Sequence, residues 1–204
     1  MHPNPVYHTA DETQNLAYAR ERGFGVLAVA ANGAPLLSHV PFVLSGDGRT
    51  LDLHLVRSNP IARALKASMQ ARIAVSGPDS YISPDWYGIP DQVPTWNYVA
   101  VHLTGTIEQR PQGELRDLLD RQSALFEARL EPKAPWVTTK MDKDALDRMM
   151  QMIVPCRMTI ASVDGTWKLS QNKSDDARRR AADHVDGYGQ GSEIRLLAAL
   201  MRGA

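Results

Sequence analysis

Two hydrophobic periods run through the chain, and the switches between them predict its elements. Residues 50–56 alternate strictly: Leu51, Leu53 and Leu55 face one side, Asp52 and His54 the other, the period-two signature of a strand. The longest alternating run is 95–109. One face carries Asn97, Val99, Val101 and Leu103, and the other Trp96, Tyr98, Ala100, His102 and Thr104. The aliphatic set reads as a barrel interior. The aromatic and polar set reads as a cofactor or partner surface. Strands are also predicted at 24–30 and 35–44, joined by an Asn32-Gly33 turn, and at 72–76. A hairpin is predicted from 156–163 to 166–169 around Asp164-Gly165.

Helical periods fill the intervals. Residues 11–22 open on acidic residues, close on Arg20 and Arg22, and stop at Gly23. Pro60 opens a helix to about residue 69, with Ser58 or Asn59 as its cap. Leu115, Leu118, Leu119, Leu125 and Phe126 mark an amphipathic helix over 113–130. Asp142 caps another through 152, and 174–202 hold two short helices divided by Gly187, Gly189 and Gly191. Residues 77–94, with four prolines, read as a long loop, and such a loop usually serves function or covers something. Tight turns favour hairpins over parallel crossovers. The prediction is a mainly β, α+β fold: an antiparallel barrel with inserted and C-terminal helices. It forms a single domain over 1–204, with a helical tail at about 174–204.

Composition removes several function classes. Lys+Arg and Asp+Glu both total 23, so the formal net charge is zero, without the basic excess that phosphate neutralisation calls for in nucleic-acid binders. There is no helix-turn-helix, basic stripe or zinc finger, so direct DNA binding is not expected. The single cysteine, Cys156, cannot form an intrachain disulfide and fits a cytoplasmic location. The first ten residues lack the apolar segment of a signal peptide, and no run approaches the roughly 18 apolar residues of a membrane span. The six histidines show no metal-ligand spacing, so no metal site is expected.

Three segments carry chemistry. His54-Leu55-Val56-Arg57-Ser58-Asn59-Pro60 leads from a strand into a helix start; Arg57 offers a fork for phosphate oxygens and Ser58 and Asn59 add hydrogen bonds. The same residues would serve equally as a helix cap beside a solvated charge. The residues from Ser80 to Tyr87 and from Val93 to Tyr98, Trp96 and Asn97 among them, interleave rings with hydroxyl and amide groups. That composition suits the wall of a planar heterocycle, an aromatic mini-core or a dimer seam. In Trp167-Lys168-Leu169-Ser170-Gln171-Asn172-Lys173-Ser174, alternation puts Lys168, Ser170 and Asn172 on one face. They could hold a phosphate or a flavin edge, or form a solvated strand end before a helix cap.

Together these segments, with His39-Val40-Pro41-Phe42, Tyr81-Ile82-Ser83-Pro84-Asp85-Trp86-Tyr87 and Val93-Pro94-Thr95-Trp96-Asn97-Tyr98-Val99-Ala100-Val101-His102, resemble the PaiB-like FMN-binding family of split-barrel flavoproteins. Its members are often labelled negative transcriptional regulators. The resemblance runs from about residue 7 to 200. It implies an FMN-binding split β-barrel related to the pyridoxamine-phosphate oxidase and flavin reductase folds, a homodimer with FMN at the subunit interface. It further implies that Arg57, Ser58 and Asn59 meet the phosphate and that His54 belongs to the cofactor site. Ser38, His39 and Val40 would offer strand backbone to the ring. Trp96, Asn97, Lys168, Ser170, Gln171, Asn172 and Lys173 would complete the site from the other subunit.

Two functions of different class follow. One is a flavin-dependent sensor or indirect negative transcriptional regulator. The other is an FMN-dependent oxidoreductase taking electrons from a nicotinamide cofactor, for which the flavin supplies the difficult chemistry and no catalytic residue is assigned. His39, His54 and His102 also leave open a haem-binding or haem-degrading role.

Overall fold

In this computed structural model residues 1–31 and 33–204 are described, so Asn32 of the Asn32-Gly33 turn lies outside the described residues. The strands are β1 (Phe24–Val29), β2 (Leu36–Leu44), β3 (Thr50–Val56), β4 (Met69–Ile82), β5 (Thr95–Gln109) and β6 (Ile153–Lys168). They close an antiparallel barrel in the order β1-β2-β3-β6-β5-β4. The helices are α1 (Glu12–Arg22), α2 (Pro60–Ala64), α3 (Leu115–Glu127), α4 (Lys143–Gln151), α5 (Asp175–Tyr188) and α6 (Ile194–Gly203). The antiparallel α+β expectation therefore holds. Among the described residues no helix is long and apolar enough to cross a membrane.

The chain forms two compact units. The first comprises residues 16–74 and 103–163 and contains the ladders β1–β2, β1–β4, β2–β3 and β3–β6. Alternation buries Leu27, Phe42, Leu51, Leu53, Ile73, Leu103, Ile107 and Met158 completely, the interior that their period predicts. Gly105 lets β5 approach β6: a Cβ there would lie 1.9 Å from the Thr159 carbonyl oxygen. Cys156 is 1% exposed and burial pushes its thiol up to about 12, so it packs as a small apolar residue. The polar face of β3 is covered. α3 packs on β2 and β3, and Asp52 is buried, accepting from Arg157 Nε at 2.7 Å and Arg121 Nη2 at 2.8 Å.

The second unit comprises residues 1–15, 75–102 and 164–204. Here α5 and α6 pack together, each burying one stripe: Ala177, Ala181, Ala182 and Val185 on α5, Leu197, Ala198 and Met201 on α6. Two predicted features differ. β4 runs on to Ile82 where a loop was expected, because a distant segment pairs with it. The amides of Asp79 and Tyr81 donate to the Ser192 and Gln190 carbonyls, both at 3.0 Å. In place of the hairpin at Asp164-Gly165, β6 is one continuous strand. Gly165 is there for space, not for turning: a Cβ would sit 2.0 Å from Asn15 Oδ1, which accepts from Trp167 Nε1 at 2.9 Å. In the first unit α2 ends at Ala64, short of residue 69, and the chain re-enters a strand at Met69.

Candidate functional site

The residues singled out by sequence fall into two sets, one in each unit. In the first unit Asn59 does two jobs. Its Oδ1 accepts from the Ile61 amide at 2.8 Å, capping α2, and its Nδ2 donates to Ser38 Oγ at 3.1 Å. One amide thus ties the strand β2 to the turn after β3. Arg57 is exposed and held at its base: Nε donates to the Gln151 carbonyl at 2.5 Å and Nη2 to Gln112 Oε1 at 2.7 Å. Both acceptors are neutral, so among the described residues the guanidinium charge stays uncompensated and Nη1 uncommitted, with the Ser58 hydroxyl exposed beside it. An Arg fork with spare donors next to a hydroxyl matches the needs of a phosphate.

The neighbours of this set differ in exposure. His39 is exposed and stacks on Phe24, with ring centroids 6.4 Å apart. Val40 is 2% exposed and points into the core. His54 is half-buried, and its Nδ1 is enclosed without a protein partner. Burial lowers its pKa, and a hydrogen bond with Gln122 opposes this only in part. The ring is therefore neutral near pH 7.

The second unit brings together Asn97, Lys168, Ser170, Asn172 and Lys173. With Tyr7, Tyr87, Gln92 and Thr95, and with Asp91 and Val93 at the lining, they enclose a cavity of about 190 Å³. Its centre is a buried hydrogen-bond hub. Ser170 Oγ lies 2.8 Å from both the Tyr87 hydroxyl and Asn97 Nδ2. Ser170 holds φ +64°, a left-handed conformation that a non-glycine residue keeps only when its surroundings over-determine it. Asn97 is fully buried; Nδ2 also meets Met201 Sδ at 3.5 Å, while Oδ1 has no partner among the described residues. Thioether sulfur only accepts, which agrees with Nδ2 facing it. An unpaired buried acceptor costs about 1–3 kcal/mol.

Two lysines flank the hub. Lys168 Nζ donates to Thr95 Oγ1 at 2.5 Å and lies 5.7 Å from the Tyr7 ring centroid. Lys173 Nζ donates to Gln92 Oε1 at 2.5 Å and lies 5.4 Å from the Tyr87 ring centroid. Burial lowers the Lys168 pKa and raises that of the Tyr87 hydroxyl. Two predicted residues stand outside the cavity. Gln171 staples its own turn, accepting from the Leu169 amide at 2.8 Å and donating to the Trp167 carbonyl at 2.6 Å. Trp96 is 49% exposed and edge-on to Tyr81. Sequence reading missed Tyr7 and Gln92. No local signal marks them, since each becomes a cavity wall only through a lysine far along the chain.

Comparison with known proteins gives these sites a context. Residues 1–162 match the protein family described as "Putative FMN-binding domain". The chain is 29% identical over 168 residues to Protease synthase and sporulation protein PAI 2 of Bacillus subtilis, covering 81% of this chain and 79% of that protein. Among solved structures it is similar to the FAD and heme binding protein from Mycobacterium smegmatis (TM-score 0.55, 16% identity, 90% of this chain and 80% of that one). It is also similar to the flavocytochrome Anf3 from Azotobacter vinelandii (TM-score 0.57, 12% identity, 86% of this chain and 77% of that one). The split-barrel architecture expected from the sequence is thus the fold of solved proteins.

Proposed function

We propose, from the premise that this chain belongs to the family of FMN-binding domains that its first 162 residues match, that it is a cytoplasmic flavin-dependent sensor with an indirect, negative effect on transcription. The observation that carries the flavin reading is that match, which spans the Arg57-Ser58-Asn59 turn and the Ser38–Asn59 tie. Arg57 and Ser58 would hold the FMN phosphate through charge-assisted and hydroxyl hydrogen bonds, with Asn59 fixing the turn on which both stand. Ser38, His39 and Val40 would present strand backbone to the ring, and the unpartnered Nδ1 of His54 would be a further polar contact. FMN, once bound, supplies reversible electron acceptance. The residues of this chain bind it, orient it and limit its exposure to water.

The reading includes a homodimer in which Trp96 of a second copy completes the site. Phe24 and Leu37, 51% and 61% exposed, support an apolar partner surface on β1 and β2. Asn97, Lys168, Ser170, Asn172 and Lys173 line a cavity of about 190 Å³, for which another ligand is argued below. A second reading, an FMN-dependent oxidoreductase using a nicotinamide cofactor, is favoured by that same cavity, because an enzyme needs room for a second small molecule.

The absorption spectrum of the purified protein tests the reading. A flavin spectrum with FMN released by heat is expected. A haem band, or a colourless protein that binds no added FMN, would overturn it. Arg57→Ala should weaken FMN binding by about 1.5–3 kcal/mol, the range for a hydrogen bond to a charged group; an unchanged Kd removes Arg57 from the phosphate. Rapid bleaching by NADH or NADPH with turnover on an acceptor would replace the sensor with the oxidoreductase.

A further inference from the structure

We propose that the cavity of the second unit is a binding site for a small organic monoanion with its own hydrogen-bond donor beside the charge, a short hydroxycarboxylate in class. Three features of the cavity, each independent of the flavin reading, lead there.

The first is charge. Lys168 and Lys173 each spend one donor on a neutral oxygen, of Thr95 and of Gln92. An ammonium has three donors, so two remain on each. Neither lysine is paired with a carboxylate among the described residues. Asp91 at the lining is exposed and brings one negative charge, leaving a net single positive charge, which calls for a monoanion. The second is the orphan. Asn97 lines the cavity, and its Oδ1 is buried and accepts from nothing among the described residues. A bare carboxylate offers it no hydrogen; a ligand carrying a hydroxyl does. The third is size. The cavity has a volume of about 190 Å³. That suits a two- or three-carbon hydroxy acid and is below the roughly 300–1,000 Å³ of sites for drug-sized ligands.

The strained hub explains how the site is kept ready. Ser170 takes a hydrogen bond from Asn97 Nδ2 and shares another with the Tyr87 hydroxyl. The amide oxygen is thereby held in place before any ligand arrives, which reduces the ordering cost of binding. Lys168, Ser170 and Lys173 lie beyond residue 162, where the family match ends. The site is thus built partly from chain that the FMN-binding match does not reach.

Calorimetric titration of the full chain with glycolate, acetate and inorganic phosphate tests the proposal. Glycolate is expected to bind about 2–10-fold more tightly than acetate, the worth of one added hydrogen bond. Lys173→Met and Lys168→Met should each weaken glycolate binding by about 10–100-fold. Thermal melts of both lysine variants that match the parent guard against a folding defect. Phosphate binding more tightly than glycolate would keep the site and shift its source to a phosphorylated compound. The proposal falls if none of the three anions binds at millimolar concentration, or if both lysine variants bind glycolate like the parent. It also falls if saturating FMN displaces glycolate, since the cavity would then belong to the flavin. A protein that binds glycolate but no FMN would sink the flavin reading alone.

Discussion

Two cation clusters, one in each unit, are compensated in opposite ways. In the first unit Arg157 and Arg121 converge on Asp52, whose carboxylate is 8% exposed as a residue, and Arg110 is held by Glu108 and Glu114. A cavity of about 320 Å³ lies among these groups, yet its charges cancel one another and need nothing from outside. In the second unit Lys168 and Lys173 meet only neutral oxygens and aromatic faces. The larger cavity is therefore a structural network, and the smaller one has the unmet demand that marks a ligand site. Arg57, with two neutral acceptors, follows the second pattern within the first unit. Cavity size ranks these sites in the wrong order; charge compensation ranks them by function.

The largest test of this contrast is Asp52→Asn. It leaves two guanidinium groups without their shared partner and should cost about 2 kcal/mol, less than a fully buried pair because both arginines reach solvent. Burial pushes the Asp52 carboxyl upward, but the hydrogen bonds and charges of Arg157 and Arg121 outweigh it and hold the group below the usual carboxylate range. Its stabilising contribution is therefore complete above the unfolded pKa of about 3.9. It is lost as pH falls through the lower folded value. Denaturant melts of parent and variant should differ most near neutrality and converge in acid; a gap that widens in acid contradicts the assignment.

Next in size is Asn59→Ala, which removes a helix cap and the tie to Ser38. Chemical unfolding should register a loss of about 1 kcal/mol, together with weaker FMN binding, because the Arg57 turn loses its anchor. A stable variant with unaltered FMN affinity would reduce Asn59 to an ordinary surface amide. The smallest effect belongs to Lys173→Met, whose stability should stay within about 0.5 kcal/mol of the parent while anion binding collapses. A stability loss comparable to that of Asp52→Asn would mean that Lys173 belongs to the scaffold, and the contrast between the units would fail.

The alternating runs of β3 and β5 and the caps Asn59 and Asp142 lay open in the sequence, because each rests on residues within a few positions of one another. So did the segments of both candidate sites, because cations, amides and rings concentrated there. Other features needed a partner remote in sequence. Asp164-Gly165 has turn chemistry, but the space it provides is filled by Asn15. Gly77 and Pro78 suggested a loop, yet Gln190 and Ser192 complete a strand just beyond them. By itself, then, the sequence determined the antiparallel barrel class, the order of elements and the residues rich enough in chemistry to bind a ligand, since these depend on period and composition. Only the tertiary structure decided that Tyr7 and Gln92 join Lys168 and Lys173 around one cavity, that Gln171 merely staples a turn, and that Asn97 keeps an acceptor unpaired. Those are matters of which distant side chains arrive within hydrogen-bond distance, and no local pattern encodes them.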